Sequence, residues 1–351
     1  MIEKILVLPV VINFCLSGLI INIIQALLFI TVSPFSKKCY RKLNRYIGIV
    51  FFNHVLFISE WWSRSRLTLY ISKEDKEHLG KEHCIALVNH HFDGDWMFLV
   101  RQASKFNGIV GNCRAFAKKP LRYYPVIGWF FYFNEYIFLE RSFEKDQQHI
   151  KESVEEKLEN SPDPIIMCLF PEGTRYTHKK HLKSVEYARS HNLTPLKHLL
   201  IPKTKGFIAV MKAARGKKCA IYDYTLHVKK NFGTATVMGA LNRIPYEVSI
   251  YQRRIPLENI PEDEEKAAAW LQKLFVEKDA IIESFEKTGS TLDNVEEIVI
   301  GPSIWSFVST FLWMMFTVVP LVDFLVTGTI DFLLPSSISL IGVICVWLYT
   351  N

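Results

Sequence analysis

The sequence predicts an α/β domain carried on membrane segments, and three observations predict it. Between about Leu67 and Ile300, short apolar runs alternate with charged, helix-patterned segments, as strands and crossover helices do. Both ends of the 351-residue chain carry long, nearly uncharged apolar runs. Three candidate strands run straight into polar clusters, and in open α/β sheets ligands bind beyond the carboxyl ends of strands. The expected organisation is an anchor and interfacial helix over 1–66, an α/β domain over 67–300 and a membrane hairpin over 301–351.

From Ile5 to Ser36 no residue is charged. Ile5–Val32 is interrupted mainly by Asn13, Asn22 and Gln25, and a bilayer core needs about 20 helical residues. A cleaved signal would have a shorter apolar core, about 7–15 residues, ending in small residues. This run is longer and no such site follows, so a retained anchor is expected. Lys37, Lys38, Arg41, Lys42 and Arg45 come next, and positive charge beside a membrane segment marks its cytoplasmic side. Ile47–Ile58 is too short to span. With Trp61, Trp62, Arg64 and Arg66 behind it, it reads either as an interfacial helix or as a core helix of the domain.

Cys84–Val88, Tyr136–Leu139, Ile165–Phe170 and Tyr222–Val228 are the candidate strands. Ser142–Asn160 is highly charged, with Ile150, Val154 and Leu158 four apart, the spacing of a surface helix. Glu262–Lys287 predicts a longer amphipathic helix with Trp270, Leu271, Leu274, Phe275, Ile282 and Phe285 on its apolar face. Gly289 stands where a helix stop is expected. Ser303–Val322 is uncharged and apolar; Asp323 follows, then a second apolar stretch broken by Asp331 and Pro335 and ending near Tyr349. This predicts a helical hairpin in the membrane, with its aspartates near the turn.

The formal charge of +7 favours anionic lipid surfaces or anionic substrates. There is no zinc-finger or RNA-binding signature, and no nucleic-acid partner is expected. The seven cysteines, Cys15, Cys39, Cys84, Cys113, Cys168, Cys219 and Cys345, are odd in number and contain no CxxC pair. A disulfide framework is not expected, and the domain suits a reducing compartment.

The polar clusters carry the chemistry. In "VNHHFDGDWM", residues 88–97, His90 and Asp95 meet if His90 lies on a turn and Asp95 opens the following helix. The carboxylate would then fix one imidazole nitrogen and leave the other basic. The rival readings are a helix cap made by Asp93 or Asp95 and a metal site, although no HExxH or Cys/His zinc spacing is present. In "FPEGTR", residues 170–175, Gly173 permits close backbone approach and Arg175 suits a phosphate. Lys118 and Lys119 precede a loop containing Pro120, Pro125 and Gly128, and Arg141 ends the following strand. "LLIPKTKGF", residues 199–207, says only strand and turn, with Pro202 after the apolar run.

The order of these four segments resembles the lysophospholipid acyltransferase family, which contains the 1-acylglycerol-3-phosphate acyltransferases. The family's first motif, NH-x4-D, is matched by Asn89, His90 and Asp95. Its second, a Lys-rich loop followed by P-x-x-GW and an Arg, is matched by Lys118, Lys119, Pro125, Gly128, Trp129 and Arg141. "FPEGTR" matches the third letter for letter, and Ile201 with Pro202 matches the fourth. "PFSKKCYRKLN", "EWWS", "GKEH", "TKGF" and "YDYTL" look like the gamma/delta branch of those enzymes, so the resemblance covers nearly the whole chain. His91, Asp93 and Gly94 depart from the family pattern inside the first motif; the family spacing selects His90.

The resemblance implies a mixed-sheet glycerolipid acyltransferase fold with membrane helices at both ends. It implies transfer of a fatty acyl group from acyl-CoA to the sn-2 hydroxyl of lysophosphatidic acid, giving phosphatidic acid and CoA. His90 would be the base, oriented by Asp95, and no acyl-enzyme would form. Glu172, Gly173, Thr174 and Arg175, helped by Lys119, Arg141 and Pro202, would bind substrate. Acyl-CoA would be a co-substrate, with no cofactor and no metal. The bilayer would be a partner, and the location the endoplasmic reticulum membrane with the catalytic domain facing the cytosol. The other readings are the same reaction on lysophosphatidylinositol or a lysocardiolipin, a metal-dependent membrane hydrolase, and a catalytically silent membrane-remodelling protein.

Overall fold

The structure is a computed structural model that describes residues 2–106, 109–229, 235–290 and 295–328. In chain order it contains α1 (Ile2–Thr31), α2 (Lys37–Phe57), β1 (Arg66–Ile71), α3 (Lys73–His78), β2 (His83–Val88) and α4 (Asp95–Ala103). Then come β3 (Cys113–Lys118), α5 (Ile127–Phe133), β4 (Ile137–Leu139), α6 (Phe143–Asn160), β5 (Ile166–Leu169), α7 (His178–Ser190) and α8 (Thr204–Ala214). The last elements are β6 (Cys219–Val228), α9 (Val237–Leu241), β7 (Glu247–Pro256), α10 (Glu264–Thr288), β8 (Glu296–Val299) and α11 (Ile304–Thr327).

The described strands form one sheet in the order β4-β3-β5-β2-β6-β7-β1-β8. The first five run parallel, β7 is antiparallel to β6, β1 is parallel to β7, and β8 is antiparallel to β1. Parallel strands covered on both faces are apolar throughout, and β2 shows why: Cys84, Ala86 and Val88 point into one core while Ile85 and Leu87 point into the other. The first core is closed by α2 and α4, the second by α6, α8 and α10. The expected strands 84–88, 136–139, 165–170 and 222–228 correspond to β2, β4, β5 and β6. Their parallel run puts the carboxyl ends of β2, β4 and β5 on one edge.

The helix predicted over 142–160 is α6, and that over 262–287 is α10, which ends on Gly289 in the left-handed conformation (φ 73°). The run Ile47–Ile58 makes up the C-terminal part of α2 and its cap. Phe51, Phe52, Val55 and Leu56 on α2 are buried against the sheet side of the first core. The helix starts earlier than the apolar run, at Lys37, where the Ser36 hydroxyl caps the Cys39 amide. Ser36 is favoured there because it accepts from an amide that has no partner in the first helical turn.

The polar interruptions of the N-terminal run all turn inward along α1. Asn13 accepts from Thr317 of α11, Ser17 bonds His54 of α2, Asn22 accepts from the Val126 amide before α5, and Gln25 donates to Asn44 of α2. Ile23, Leu27 and Ile30 are exposed on the other side. Val7–Thr31 and Ile304–Thr327 are each long and apolar enough to cross a membrane. The second arm of the expected hairpin, with Asp331, Pro335 and Cys345, lies outside the described residues. The described cysteines are free thiols.

The packing of α2 depends on a close approach. A Cβ on Gly111 would lie 2.1 Å from the Arg45 carbonyl oxygen, and one on Gly48 would lie 2.9 Å from the Gly111 oxygen. Both obstacles are backbone, so neither can swing aside. Gly111→Ala should therefore destabilise the fold by about 1–3 kcal/mol. Thermal unfolding in detergent checks this, and an unchanged Tm would contradict the tight α2 contact.

Candidate active site

The site is built from the backbone outward. Asn89 follows the last residue of β2 and is fully buried. Its side chain donates to the Leu226 carbonyl (2.9 Å) and accepts from the Leu226 amide (2.8 Å), extending the β2–β6 ladder by one rung. The chain then turns, and His90 receives two further restraints. Its amide donates to Glu172 Oε1 (2.8 Å), and its carbonyl accepts from the Tyr176 amide (2.8 Å).

Asp95 is the first residue of α4. Its carboxylate Oδ2 lies 2.8 Å from His90 Nδ1 and accepts from the His91 amide at 3.0 Å. With Nδ1 donating to the carboxylate, the His90 lone pair lies on Nε2. The ring keeps 22% of its side-chain surface exposed, while Asp95 keeps none. The capping reading fails here. The residue at the cap of α4 is Gly94, which offers no side-chain bond, and Asp93 instead accepts from the Val237 amide at the start of α9. Burial raises the Asp95 carboxyl above its usual range, and the hydrogen bond from His90 opposes that rise.

"FPEGTR" forms the loop after β5. Gly173 has φ +67°, a conformation that glycine adopts without steric cost. Its carbonyl accepts from Arg141 Nη2 at 3.2 Å. Arg141 is itself left-handed (φ 68°), held by Asp146, whose two carboxylate oxygens take the Glu140 and Arg141 amides at 2.8 Å each. A non-glycine residue in this region stores about 1–2 kcal/mol, so Asp146 holds the guanidinium over the loop against strain. Thr174 Oγ1 accepts from Lys180 Nζ at 2.6 Å, and the Arg175 carbonyl accepts from the same ammonium at 3.0 Å. Arg175 is exposed and reaches Asp93 at 3.5 Å. Lys119 pairs with Glu140 and so stands one residue from Arg141.

Most of the residues expected at the site are brought together, but Glu172 has a different place from the one expected. It does not face outward towards a glycerol phosphate. It is buried, and its carboxylate accepts from the His90 amide and from the Leu200 amide (3.3 Å). Burial pushes its carboxyl up to about 8, against the two amides and the nearby Lys278 ammonium, which lower it. Pro202 is also buried, and the next amide, Lys203, donates to the Pro171 carbonyl at 2.8 Å. The fourth segment thus seats the "FPEGTR" loop, and the Lys203 side chain runs alongside Gly173. Lys180, Asp146 and Lys203 were missed as site residues. Only Lys180 had a local signal, a lysine in the first turn of a helix capped by Thr177.

The rest of the chain points the same way. The Acyltransferase family model matches residues 70–229 and the Acyltransferase C-terminus model matches 239–313. The 1-acyl-sn-glycerol-3-phosphate acyltransferase delta of Rattus norvegicus is 38% identical over 314 residues, 90% of this chain and 82% of that protein. The chain belongs to the 1-acyl-sn-glycerol-3-phosphate acyltransferase family. The gamma protein of Pongo abelii is 38% identical over 79% of this chain and 72% of its own. The Arabidopsis thaliana 1-acyl-sn-glycerol-3-phosphate acyltransferase 3 is 36% identical over 88% of this chain and 82% of its own. The 1-acyl-sn-glycerophosphate acyltransferase of Thermotoga maritima overlays with a TM-score of 0.43 at 14% identity, covering 77% of this chain and 96% of that one. Membership of the family rests on the sequence relatives.

Glu172 makes stability depend on pH with a definite sign. A carboxyl near 4.5 when unfolded and near 8 when folded binds its proton more tightly in the native state. Its contribution is full below the unfolded value and is lost as pH rises through the folded one. Wild-type Tm should therefore fall relative to that of Glu172→Gln between about pH 5 and 8. Parallel curves for the two proteins would contradict the burial of this charge.

Proposed function

We propose that this protein transfers a fatty acyl group from acyl-CoA to the sn-2 hydroxyl of lysophosphatidic acid, giving phosphatidic acid and CoA. The observation that carries this reading is His90, with Nδ1 fixed on Asp95 and Nε2 left basic, beside a loop ending in the exposed Arg175. In the reaction His90 Nε2 takes the proton of the acceptor hydroxyl as its oxygen attacks the thioester carbonyl. The tetrahedral intermediate expels the CoA sulfur, which leaves with the proton returned by the imidazolium. Asp95 stabilises that imidazolium and keeps the tautomer. A thioester is already activated, so the step needs no cofactor and no covalent enzyme intermediate.

The acceptor phosphate would take Arg175 away from Asp93, an exposed pair at 3.5 Å that is worth little in water. Lys119 and Arg141 would add positive charge at its rim, and Gly173 and Thr174 the close backbone approach. Glu172 and Pro202 would act on the substrate only through the loop positions they fix. The apolar helices at both ends would keep the site at a bilayer surface where both amphiphiles gather. Lys37, Lys38, Arg41, Lys42 and Arg45 beside α1 support a cytosolic site on the endoplasmic reticulum membrane.

The test is CoA release by the purified protein in detergent, with oleoyl-CoA and a panel of lysophospholipids. Lysophosphatidic acid should give the highest rate, and His90→Ala should lower it by about 10²–10⁴. A higher rate with lysophosphatidylinositol or a lysocardiolipin would change the acceptor. Inhibition by chelators would favour a metal-dependent hydrolase.

A further inference from the structure

Beneath the site lies a set of buried charges that the proposed reaction does not use. Lys278 on α10 and Asp223 on β6 are both fully buried and form an ion pair. Lys278 Nζ also donates to the carbonyls of Tyr224 (2.7 Å) and Leu87 (3.0 Å). In the β2–β6 ladder Leu87 is opposite Asp223 and Val88 opposite Tyr224, so the ammonium bridges the carboxyl end of β2, three residues before His90, to the middle of β6. Arg253 on β7 donates to the other Asp223 oxygen at 2.9 Å and to Glu277 at 2.6 Å.

The next residue on α10 holds the opposite side of the site. The Asp279 carboxylate accepts from the amides of Lys197 (2.8 Å), His198 (2.7 Å) and Leu199 (3.1 Å). The following amide, Leu200, donates to Glu172, which in turn holds His90. Two consecutive residues of one helix thus reach the His90 turn by two routes, through the end of β2 and through Glu172. That helix lies in the segment matched by the Acyltransferase C-terminus model, residues 239–313.

We infer that Lys278 is a positioning residue: through the Leu87 and Tyr224 carbonyls it fixes the end of β2 that carries His90, and so the imidazole against the acceptor hydroxyl. This rests on the acyl-transfer reading above. Stability alone is a poor reason for such a group, because replacing a buried ion pair with apolar residues is often neutral or stabilising. Geometry is the better reason, since a misplacement of about 1 Å by a distant change can cost roughly a hundredfold in rate. The charged groups facing the ammonium are Asp223 from β6, Arg253 from β7 and Glu172 from the loop after β5. Removing the ammonium takes away a cation that lowers the Glu172 carboxyl.

The experiment compares the full-length wild type, His90→Ala, Lys278→Met and Lys278→Met with Asp223→Asn in detergent. Each is purified as a folded, monodisperse species and measured for CoA release from oleoyl-CoA and lysophosphatidic acid. Lys278→Met should lower kcat by roughly 10- to 100-fold with both KM values within about twofold. A fall in kcat at nearly constant KM separates a misplaced imidazole from weakened substrate binding. The double variant removes both buried charges and carries the same test if Lys278→Met does not fold. A folded variant with wild-type kcat and only a changed Tm overturns the inference, provided the wild-type rate depends on His90. A wild-type rate independent of His90 sinks the acyl-transfer reading instead.

Discussion

The carboxyl end of β2 is where distant parts of the chain meet, and they meet through backbone hydrogen bonds. Asn89 closes the ladder to β6, Glu172 takes the His90 amide, and the Tyr176 amide takes the His90 carbonyl. Each such bond is worth only about 1 kcal/mol net, but leaving a buried partner unmatched costs about 1–3 kcal/mol. The turn therefore has one satisfied arrangement. The imidazole direction follows from it, and Asp95 then needs only to stand at the start of α4 to meet Nδ1. The helix N-terminus favours that carboxylate, as does the imidazole, while burial opposes it.

Much of this architecture could be read from residue patterns. Short apolar runs ending in polar clusters marked β2, β4 and β5, and the fourfold spacing of Ile150, Val154 and Leu158 marked α6. Of the strands β1, β3, β7 and β8, which were missed, the last two break those patterns. β7 carries Arg253 and Arg254, whose charges are met by Asp223, Glu277 and Glu82 across the fold. β8 is a four-residue edge strand that begins with two glutamates. The dyad was legible because its partners are five residues apart. The place of Glu172 was not, because the amides that occupy it are 82 and 28 residues away. A glutamate before Gly-Thr-Arg reads as a ligand group until those amides are in view. Lys278 did leave a trace, for it falls on the apolar stripe of α10 between Leu274 and Ile282, where a lysine is out of pattern.

The surroundings of His90 suit activation of an acceptor rather than attack by the protein itself. The thiol nearest in electrostatic terms, Cys168 on β5, is pushed up to about 12 by burial, with the Asp95 carboxylate adding to the rise. Cys84 and Cys113 are raised by burial as well. Thiols held this far from their anionic form are poor nucleophiles at neutral pH. His90 has a fixed tautomer and a partly exposed ring packed 4.7 Å from Phe170. The same chain presents an apolar outer face on α1 while its polar residues turn inside, so the site and that apolar face belong to one packed body.

If the protein activates the acceptor hydroxyl and passes the acyl group directly, the transfer has no enzyme-bound stage. Mixing the enzyme with acyl-labelled acyl-CoA, first without and then with lysophosphatidic acid, tests it most directly. Direct transfer gives no burst of CoA and no label on the protein until the acceptor is added, after which label passes to the phospholipid product. A stoichiometric burst of CoA with label retained on the protein in the absence of acceptor would contradict it.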